Sequence, residues 1–517
     1  MIVSSVALFA LLQIPFSLAT PIKRASAVSQ STCNGNVYTY EELAGWGLLA
    51  SDVRDKFGDT IGGIGSAIAL DKKSWKKVNG KSEAYEGTLY GLPDRGWNTL
   101  GTQNTQSRIH KFSISLQIVS DATVANPAKP NFQIKYLNTI LLSGPDSTPI
   151  TGLDADASGH LSYPGFPDLP VATYTGDGFG GSGPGGKRVS VDAEGLVLGA
   201  DGTFWVSDEY GPYIYHFDKS GKMIDAIRPP DAFIPIRNGS ESFSANSPPI
   251  YDLEKEINPE DPTTGRQNNQ GFEGLTASPD GKSLYVLLQS ALQQEGGTKS
   301  KNRRNSRLLR YDISKKKPEY EAAYVVQLPV LSNEKVAAQS EIHFISSEQF
   351  LVLARDSGAG HGQEESQSIY RNADIFDISK ATDIKSRSND AFDGAIASDK
   401  GELKKDIKPA EYCPWLSYND NSQLNRFGVH NGGPQDAGLL NEKWESLALA
   451  PVSGIYDDDG EGDGKEYFLI SFSDNDFITQ NGFINRGKQI YSDESGFNLD
   501  TQVLVFRVRL PKGVDPL

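Results

Sequence analysis

Charged side chains recur at fixed places in a repeated strand pattern, and this is the main chemical signal in the sequence. A glutamate precedes or begins four apolar runs, at Glu194, Glu273, Glu341 and Glu445. Other charged residues end apolar runs: Asp94 and Arg95, Asp208 and Glu209, Arg355 and Asp356, and Asp474. A carboxylate there is costly to bury unless it faces water, a metal ion or a partner. The pattern predicts that these side chains converge on one site.

The residue types at this predicted site suit metal-assisted chemistry on an anionic ester. Carboxylates that crowd together repel one another unless a cation intervenes, so Glu194, Glu273 and Glu445 are predicted to bind a divalent cation such as calcium. Asp208, Glu209, Arg355 and Asp356 are the predicted catalytic residues. Arg95 and Arg188, with Asp94 and Asp474, are predicted to bind a small anionic substrate, since guanidinium groups pair well with phosphates and carboxylates.

Two other interpretations of the same residues stay open. The glutamates could cap backbone amide groups where strands of neighbouring units meet. Alternatively, Arg188 or Arg355 could already neutralise the carboxylates, so that a metal ion would add little.

Common hydrolase and metal motifs are missing from the sequence. It has no G-x-S-x-G and no H-E-x-x-H, and its six histidines lack ligand spacing. Gly181–Lys187 matches a nucleotide-binding loop by letter, but Arg188 stands where serine or threonine is needed. Residues 457–463 are rich in aspartate and glycine, which fits either a calcium loop or a solvated hairpin tip.

Alternating residues predict half-buried strands and an all-β fold. Tyr213–Asp218 and Gln502–Val508 are examples, and Asp201-Gly202 and Asp280-Gly281 fit tight turns between strands. Repetition of such four-stranded units predicts a β-propeller, most simply with six blades and with five or seven as alternatives. Residues 25–517 are expected to form one domain with long loop insertions at 160–187, 229–270 and 380–440.

The N-terminal segment, the cysteines and the net charge predict where the protein is located and which partners it can have. Residues 1–19 are expected to be a signal peptide and residues 20–24 a propeptide ending at Lys23-Arg24, so the chain should be secreted and extracellular. Cys33 and Cys413, the only cysteines, are predicted to form a disulfide, and Asn238 begins the only glycosylation sequon. The net charge of −16 argues against nucleic acid as a partner. We expect no membrane span and a monomer.

Several segments together resemble the phytase-like domain family, also described as having esterase-like activity of phytase. The similar segments are Arg188–Leu196, Trp205–Pro212, Asn269–Leu275, Arg307–Tyr311 and Arg355-Asp356. The resemblance extends over roughly residues 60–510. It implies a propeller-like β fold and a secreted protein that hydrolyses phosphate esters.

Three functions therefore remain as hypotheses. The first is metal-assisted hydrolysis of phosphate esters. The second is a lactonase or carboxylic esterase on the same scaffold, because one fold supports many chemistries. The third is a non-catalytic extracellular binding protein in which the glutamates are purely architectural.

Overall fold

A computed structural model describes residues 27–81, 83–452 and 464–517, and almost all of their regular structure is β-strand. The expected signal peptide and propeptide and the acidic stretch 457–463 lie outside the described residues. The helical elements are single turns: Lys72–Ser74, Asp231–Phe233, Gln293–Glu295, Asn421–Leu424 and Asn425–Phe427. No helix among the described residues is long and apolar enough to cross a membrane. The expected all-β class is confirmed.

Within the described residues, the strands can be divided into five four-stranded antiparallel units. Three of these are separate sheets, and the first and last units belong to one 11-stranded sheet. Unit 1 comprises Ala67–Leu70, Ala84–Leu92, Arg108–Gln117 and Phe132–Leu141. Unit 2 comprises Ala193–Leu198, Phe204–Asp208, Ile214–Phe217 and Met223–Ile227. Unit 3 comprises Phe272–Ala277, Ser283–Leu288, Asn305–Asp312 and Glu319–Gln327. Unit 4 comprises Ala338–Phe344, Gln349–Arg355, Arg371–Asp377 and Glu411–Ser417. Unit 5 comprises Ala448–Pro451, Lys465–Asp474, Thr501–Leu510 and, from the other end of the chain, Asn36–Leu49.

The first strands of the units pack side by side. The first strand of unit 2 contacts those of units 1 and 3, the first strand of unit 3 contacts that of unit 4, and the first strand of unit 5 contacts that of unit 1. Lys443–Trp444, a short strand just before unit 5, contacts the second strand of unit 4. Units that follow one another along the chain are therefore neighbours in space, and the last unit meets the first.

Glycine allows the first strands to come this close. A Cβ atom on Gly195 would lie 2.5 Å from the Cβ of Leu275, and one on Gly274 would lie 2.6 Å from the amide nitrogen of Ile342. The hydroxyl of Ser207 accepts a 2.8 Å hydrogen bond from the Gly195 amide and donates a 2.7 Å bond to the Glu273 carbonyl. The Glu-Gly pairs of units 2 and 3 thus place their glutamates beside each other.

The N-terminal segment joins distant parts of the chain. Asn36–Leu49 pairs with Thr501–Leu510, and Gly47 also pairs in parallel with Phe132 of unit 1. The preceding strand, Ser29–Cys33, folds back on Asn36–Leu49. The predicted disulfide is confirmed, because Cys33 is bonded to Cys413 in the last strand of unit 4, with 5.7 Å between the Cα atoms.

The expected loop insertions contain some short strands. Besides Ser29–Cys33 and Lys443–Trp444, the strands outside the five units, some of them beyond these insertions, are Lys76–Lys77, His160–Leu161, Leu169–Tyr174, Gly186–Val189, Ile236–Arg237, Ser240–Glu241, Gly482–Ile484 and Gln489–Tyr491. Three of them, at 160–189, form a small separate sheet. The sequence suggests an additional blade from about residue 108 to 175, but the structure shows none there. Arg108–Gln117 and Phe132–Leu141 supply the third and fourth strands of unit 1, and His160–Leu161 and Leu169–Tyr174 belong to the small separate sheet. The apolar cores lie between neighbouring units, where inward side chains of the sheets meet.

Candidate functional site

The predicted convergence of acidic side chains is present in the structure. In an antiparallel unit, the start of the first strand and the end of the second lie at the same edge, so the charged residues of different units share one face. Seven of the carboxylates there are at most 8% exposed: Asp94, Asp192, Glu194, Glu209, Glu273, Glu445 and Asp474. Asp476 lies beside them and is partly exposed. These eight carboxylates are called the carboxylate cluster below.

Three carboxylates of the cluster are arranged as in a cation site. One carboxylate oxygen from each of Asp192, Glu194 and Glu209 lies within 4.8 Å of the others. Glu209 is 1% exposed, and its Oε1 has no hydrogen-bond partner among the described residues. Such a buried, unpaired oxygen is costly, and an all-oxygen donor set suits hard cations such as calcium or magnesium.

A second group of three carboxylates in the cluster already has a cation beside it, the ammonium group of Lys443. Asp94, Asp474 and Asp476 also bring carboxylate oxygens within 4.8 Å of one another. The Lys443 ammonium lies 3.1 Å from Asp474 Oδ2 and 2.7 Å from Asp476 Oδ1. Lys443 was missed from the sequence, although it stands two residues before Glu445, because nothing in the strand pattern marks it.

Arginines pair with two members of the cluster, Asp192 and Glu445. Arg95 binds Asp192 through its side chain at 3.0 Å and its backbone amide at 3.1 Å. Arg355 forms an ion pair with Glu445. The open alternative of arginine neutralisation is therefore present at Glu445, where Arg355 and not Arg188 supplies the charge.

Burial controls the titration of the cluster. Loss of hydration is the largest cause that raises the pKa of Asp94, Asp192, Glu194, Glu273 and Asp474. The same effect, with the Asp192 charge, raises the pKa of Glu209 to about 8. Eight carboxylates against the three paired cations Arg95, Arg355 and Lys443 leave an excess of negative charge. Protons or a bound cation must relieve it.

The three glutamates predicted as metal ligands interact as neighbours. Glu273 raises the pKa of Glu194, and Glu445 raises the pKa of Glu273. Only Glu194 belongs to the three-carboxylate cation group; Glu273 accepts a hydrogen bond from Gln289, and Glu445 is held by Arg355. Asp192, which was missed, takes the place beside Glu194 because it lies two residues earlier, at the same edge of unit 2.

The carboxylates of two predicted catalytic residues, Asp208 and Asp356, accept hydrogen bonds from backbone amides. Asp208 accepts hydrogen bonds from the amides of Asp192, Tyr210 and Gly211 at 2.9, 3.0 and 2.9 Å and from the Tyr215 hydroxyl at 2.9 Å. These bonds use both of its oxygens, and burial raises its pKa to about 7.

Asp356 is similarly engaged. Its carboxylate accepts bonds from the Ser368 hydroxyl at 2.6 Å and the Ile369 amide at 2.7 Å. Glu341 follows the capping interpretation, because its Oε1 accepts bonds from the amides of Ile342 and of Leu275 in the neighbouring unit, at 2.8 and 3.0 Å.

The remaining predicted residues lie apart from the cluster. Arg188 places its guanidinium 5.3 Å from the centre of the Tyr174 ring, in a cleft that Asp94 also lines. Asn238 is exposed at a turn with φ 50°, and its side-chain nitrogen donates to the Asn258 carbonyl at 3.0 Å. An attached glycan would have room at this position.

Known proteins give a family match and weak structural similarity. Residues 60–477 match the family described as phytase-like, with esterase-like activity of phytase. A protein from Arthroderma benhamiae, described as an uncharacterized secreted protein, is 56% identical over 467 residues, which are 88% of this chain and 90% of the relative.

Solved structures resemble the chain only at a low level. A provisionally assigned 6-phosphogluconolactonase from Bacteroides fragilis is 9% identical with a TM-score of 0.26, over 94% of this chain and 99% of that one. AztD from Citrobacter koseri is 11% identical with a TM-score of 0.20, over 92% and 97% of the two chains. These scores are too low to support an argument about this chain.

Proposed function

The chain belongs to the phytase-like family, and from this premise we propose that it is a secreted, metal-assisted hydrolase of phosphate esters. The observation that carries the proposal is the unpaired, buried Oε1 of Glu209 beside the carboxylates of Asp192 and Glu194. Arg95, at Asp192, is the only protein cation paired with these three carboxylates among the described residues. A divalent ion would neutralise their remaining negative charge and displace the proton that Glu209 would otherwise hold.

The bound ion would neutralise charge on a phosphoryl group and lower the pKa of a water molecule. Side chains of the protein would bind the ion, bind the ester and transfer the proton. Asp192, Glu194 and Glu209 would hold the ion, and Arg95, already fixed by Asp192, would present its guanidinium to the anionic ester. Glu273 interacts electrostatically with Glu209, and burial raises its pKa. With its own proton lost when the bound ion neutralises the cluster, its carboxylate would accept a proton from the attacking water and pass it to the leaving group.

The scaffold in this proposal is a five-bladed β-propeller. The cyclic order of contacts between the units supports it, together with the strand from the N-terminus that completes unit 5. The sequence favoured six blades, with five or seven as alternatives. The difference comes from about residues 108–175, whose long strands belong to unit 1 and whose short strands form a small separate sheet. The carboxylate cluster would then lie at the axis, where charged residues from units 1, 2, 3 and 5 meet.

Secretion is supported by the relative's description as a secreted protein and by the disulfide. Residues 1–19 would be the signal peptide and residues 20–24 the propeptide. Asn238 would carry a glycan.

Phosphate release tests the proposed reaction. We expect purified protein to release phosphate from phytate or p-nitrophenyl phosphate, to lose activity in EDTA and to regain it with calcium or magnesium. Glu209→Gln should reduce turnover at least 100-fold, whereas Glu402→Gln, at an exposed glutamate, should leave it unchanged. No release under any metal condition would overturn the proposal.

The family description also names esterase-like activity, so the second candidate is hydrolysis of carboxylic esters or lactones by the same residues. Acyl ester or lactone turnover without phosphate release would select it. Binding without turnover of any of these substrates would select the non-catalytic hypothesis.

A further inference from the structure

A cleft of about 410 Å³ opens beside the carboxylate cluster and takes no part in the mechanism proposed above. Most of its lining comes from three segments: the connection after the second strand of unit 1, the insertion around 174–188, and residues 477–488. Phe57, Asp59, Thr60, Leu141 and Pro149 complete it. Asp94 lines the cleft and also belongs to the carboxylate cluster. A molecule in the cleft would therefore lie next to the proposed reacting centre.

One side of the cleft is apolar. Trp97, Phe477 and Ile484 belong to a small hydrophobic cluster separate from the main cores, and Phe179 packs against it half-buried. All four side chains line the cleft. Ligand sites commonly combine an apolar wall of this kind with a few polar groups that fix orientation.

The other side carries cations that no carboxylate neutralises. Arg188, Arg486 and Lys488 line the cleft, and none forms an ion pair with a described residue. The Arg188 guanidinium lies 5.3 Å from the Tyr174 ring centre, and that of Arg486 lies 6.0 Å from the ring centre of Phe57. Stacking on a ring orients a guanidinium while leaving its N–H edge free for an anion.

The other charged groups in the cleft are already satisfied. Arg108 is bound by Asp55 and Asp59 at 2.8 and 2.9 Å. Asp177 accepts bonds from the amides of Phe179 and Gly181, both at 2.9 Å, and from the Asn485 side chain at 3.1 Å. Apart from Asp94, which belongs to the carboxylate cluster, the unmatched charge of the cleft is therefore positive.

Neutral polar groups complete the lining. Asn104, Thr105 and Ser107 lie along one wall, and each has a side-chain oxygen with no hydrogen-bond partner among the described residues. The Thr105 and Ser107 hydroxyl groups can donate to phosphate and carboxylate oxygens, whereas Asn104 Oδ1 can only accept a hydrogen bond.

We propose that this cleft binds the non-reacting part of the substrate, and that this part combines a flat apolar ring with an anionic group. The ring would pack on Trp97, Phe179 and Phe477, and the anion would pair with Arg188, Arg486 and Lys488. That the bound molecule is a substrate rests on the proposed function, but its binding to the cleft requires no catalysis. It narrows the substrate class, because a purely polar polyol phosphate would leave the aromatic wall unused.

Binding can be measured without turnover in the Glu209→Gln variant by isothermal titration calorimetry. The probes are 1-naphthyl phosphate and 5′-AMP, which carry aromatic rings, and glycerol 2-phosphate and inorganic phosphate, which do not. We expect at least tenfold tighter binding of a ring-bearing probe than of glycerol 2-phosphate. The naphthyl and adenylate arms distinguish a small aryl group from a nucleotide.

Substitutions within the cleft separate its two halves. In the same background, Arg188→Gln with Arg486→Gln should weaken binding of the preferred ring-bearing probe about tenfold, and Phe179→Ala should reduce its advantage over glycerol 2-phosphate to less than threefold. Arg387→Gln, at an exposed arginine outside the cleft, is the matched control and should change neither value.

Two outcomes would overturn the proposal: equal binding of ring-bearing and ring-free probes, or unchanged affinity in the double arginine variant. Absence of binding by all four probes would overturn it as well. Probe binding with no hydrolysis by the wild-type protein would instead remove the proposed function and leave the cleft assignment standing. Hydrolysis of phosphate esters without any preference for a ring would remove the cleft assignment and leave the proposed function standing.

Discussion

Glu209 is the side chain on which protons and metal ions would compete. Burial and the Asp192 charge raise its pKa to about 8, against the opposing charges of Arg95, Arg266 and Lys443. Near neutral pH its carboxyl group therefore holds a proton, and a divalent cation must displace that proton to bind. The same competition acts more weakly at surface carboxylates, which are ionised at neutral pH and surrounded by water.

Calcium affinity should consequently rise with pH. We expect the apparent dissociation constant to fall about tenfold or more between pH 6 and pH 8, because each step toward the pKa of Glu209 removes the competing proton. Calorimetric titration at the two pH values measures this directly, and Glu209→Gln should abolish most of the gain. Equal affinity at both pH values in the wild-type protein would contradict the assignment.

Stability without metal should change with pH in the opposite sense. The folded-state pKa of Glu209, about 8, lies above its ordinary value of 4.5, so the native state keeps a proton that the unfolded state releases. Its contribution is complete below pH 4.5 and is lost as the pH rises toward 8. The unfolding free energy in EDTA should fall by on the order of 2–4 kcal/mol across this range.

Urea denaturation at pH 5 and pH 8 measures this change in stability. Asp208, whose pKa is raised to about 7, acts in the same direction, so Glu209→Gln should flatten the dependence only partly. A protein that becomes more stable as the pH rises, with metal chelated, would exclude protonated carboxyl groups in the cluster.

At the scale of elements, the contact between first strands sets the spacing of the cluster. Gly195 and Gly274 admit neighbouring backbones, and Ser207 ties the Gly195 amide to the Glu273 carbonyl. Glu194 of unit 2 and Glu273 of unit 3 are side by side because the residue after each is a glycine. The cluster is thus a product of strand packing and requires no long loop to assemble it.

Gly195→Ala should therefore be strongly destabilising. Its new methyl group would lie 2.5 Å from the Leu275 Cβ and 2.5 Å from the Ser207 Oγ, so the first strands of units 2 and 3 must separate. We expect a loss of about 2–3 kcal/mol in urea denaturation. Gly144→Ala is the control, because its nearest neighbours would be 3.6 Å away, and a comparable loss there would refute the close-packing explanation.

The sequence predicted the elements better than it predicted the site. A short apolar run identifies a strand that is buried on both faces, so Phe204–Asp208 and Lys465–Asp474 could be recognised with their charged ends. Asp192 and Lys443 could not, since they lie at or outside strand ends where no periodicity applies. Asp208 and Asp356 show the converse limit, because sequence does not reveal whether a carboxylate faces a ligand or backbone amides.

At the scale of the whole molecule, the two cysteines gave a unique prediction because only one pairing exists. Their disulfide links Ser29–Cys33 to the last strand of unit 4, and the adjoining strand Asn36–Leu49 completes unit 5. The number of units was harder to predict, because the third and fourth strands of unit 1 resemble the start of a separate unit.

Removing the disulfide should lower stability by about 2–5 kcal/mol, since the crosslink restricts the unfolded chain. The Cys33→Ala, Cys413→Ala double variant, compared with the wild-type protein in urea with and without reductant, measures the effect. Reductant should weaken only the wild-type protein. A variant as stable as the oxidised wild type would show that strand pairing alone holds the N-terminal segment.

The pairing of Asn36–Leu49 with Thr501–Leu510 also fixes an order of events during synthesis. The chain emerges from the ribosome N-terminus first, so an apolar strand made near the beginning waits for a partner made almost at the end. Cys413 emerges before that partner does, and its bond to Cys33 would hold the waiting strand beside unit 4. A nascent chain whose residues up to 417 have already left the ribosome would then be crosslinked, yet it would still expose one unprotected strand edge to chaperones.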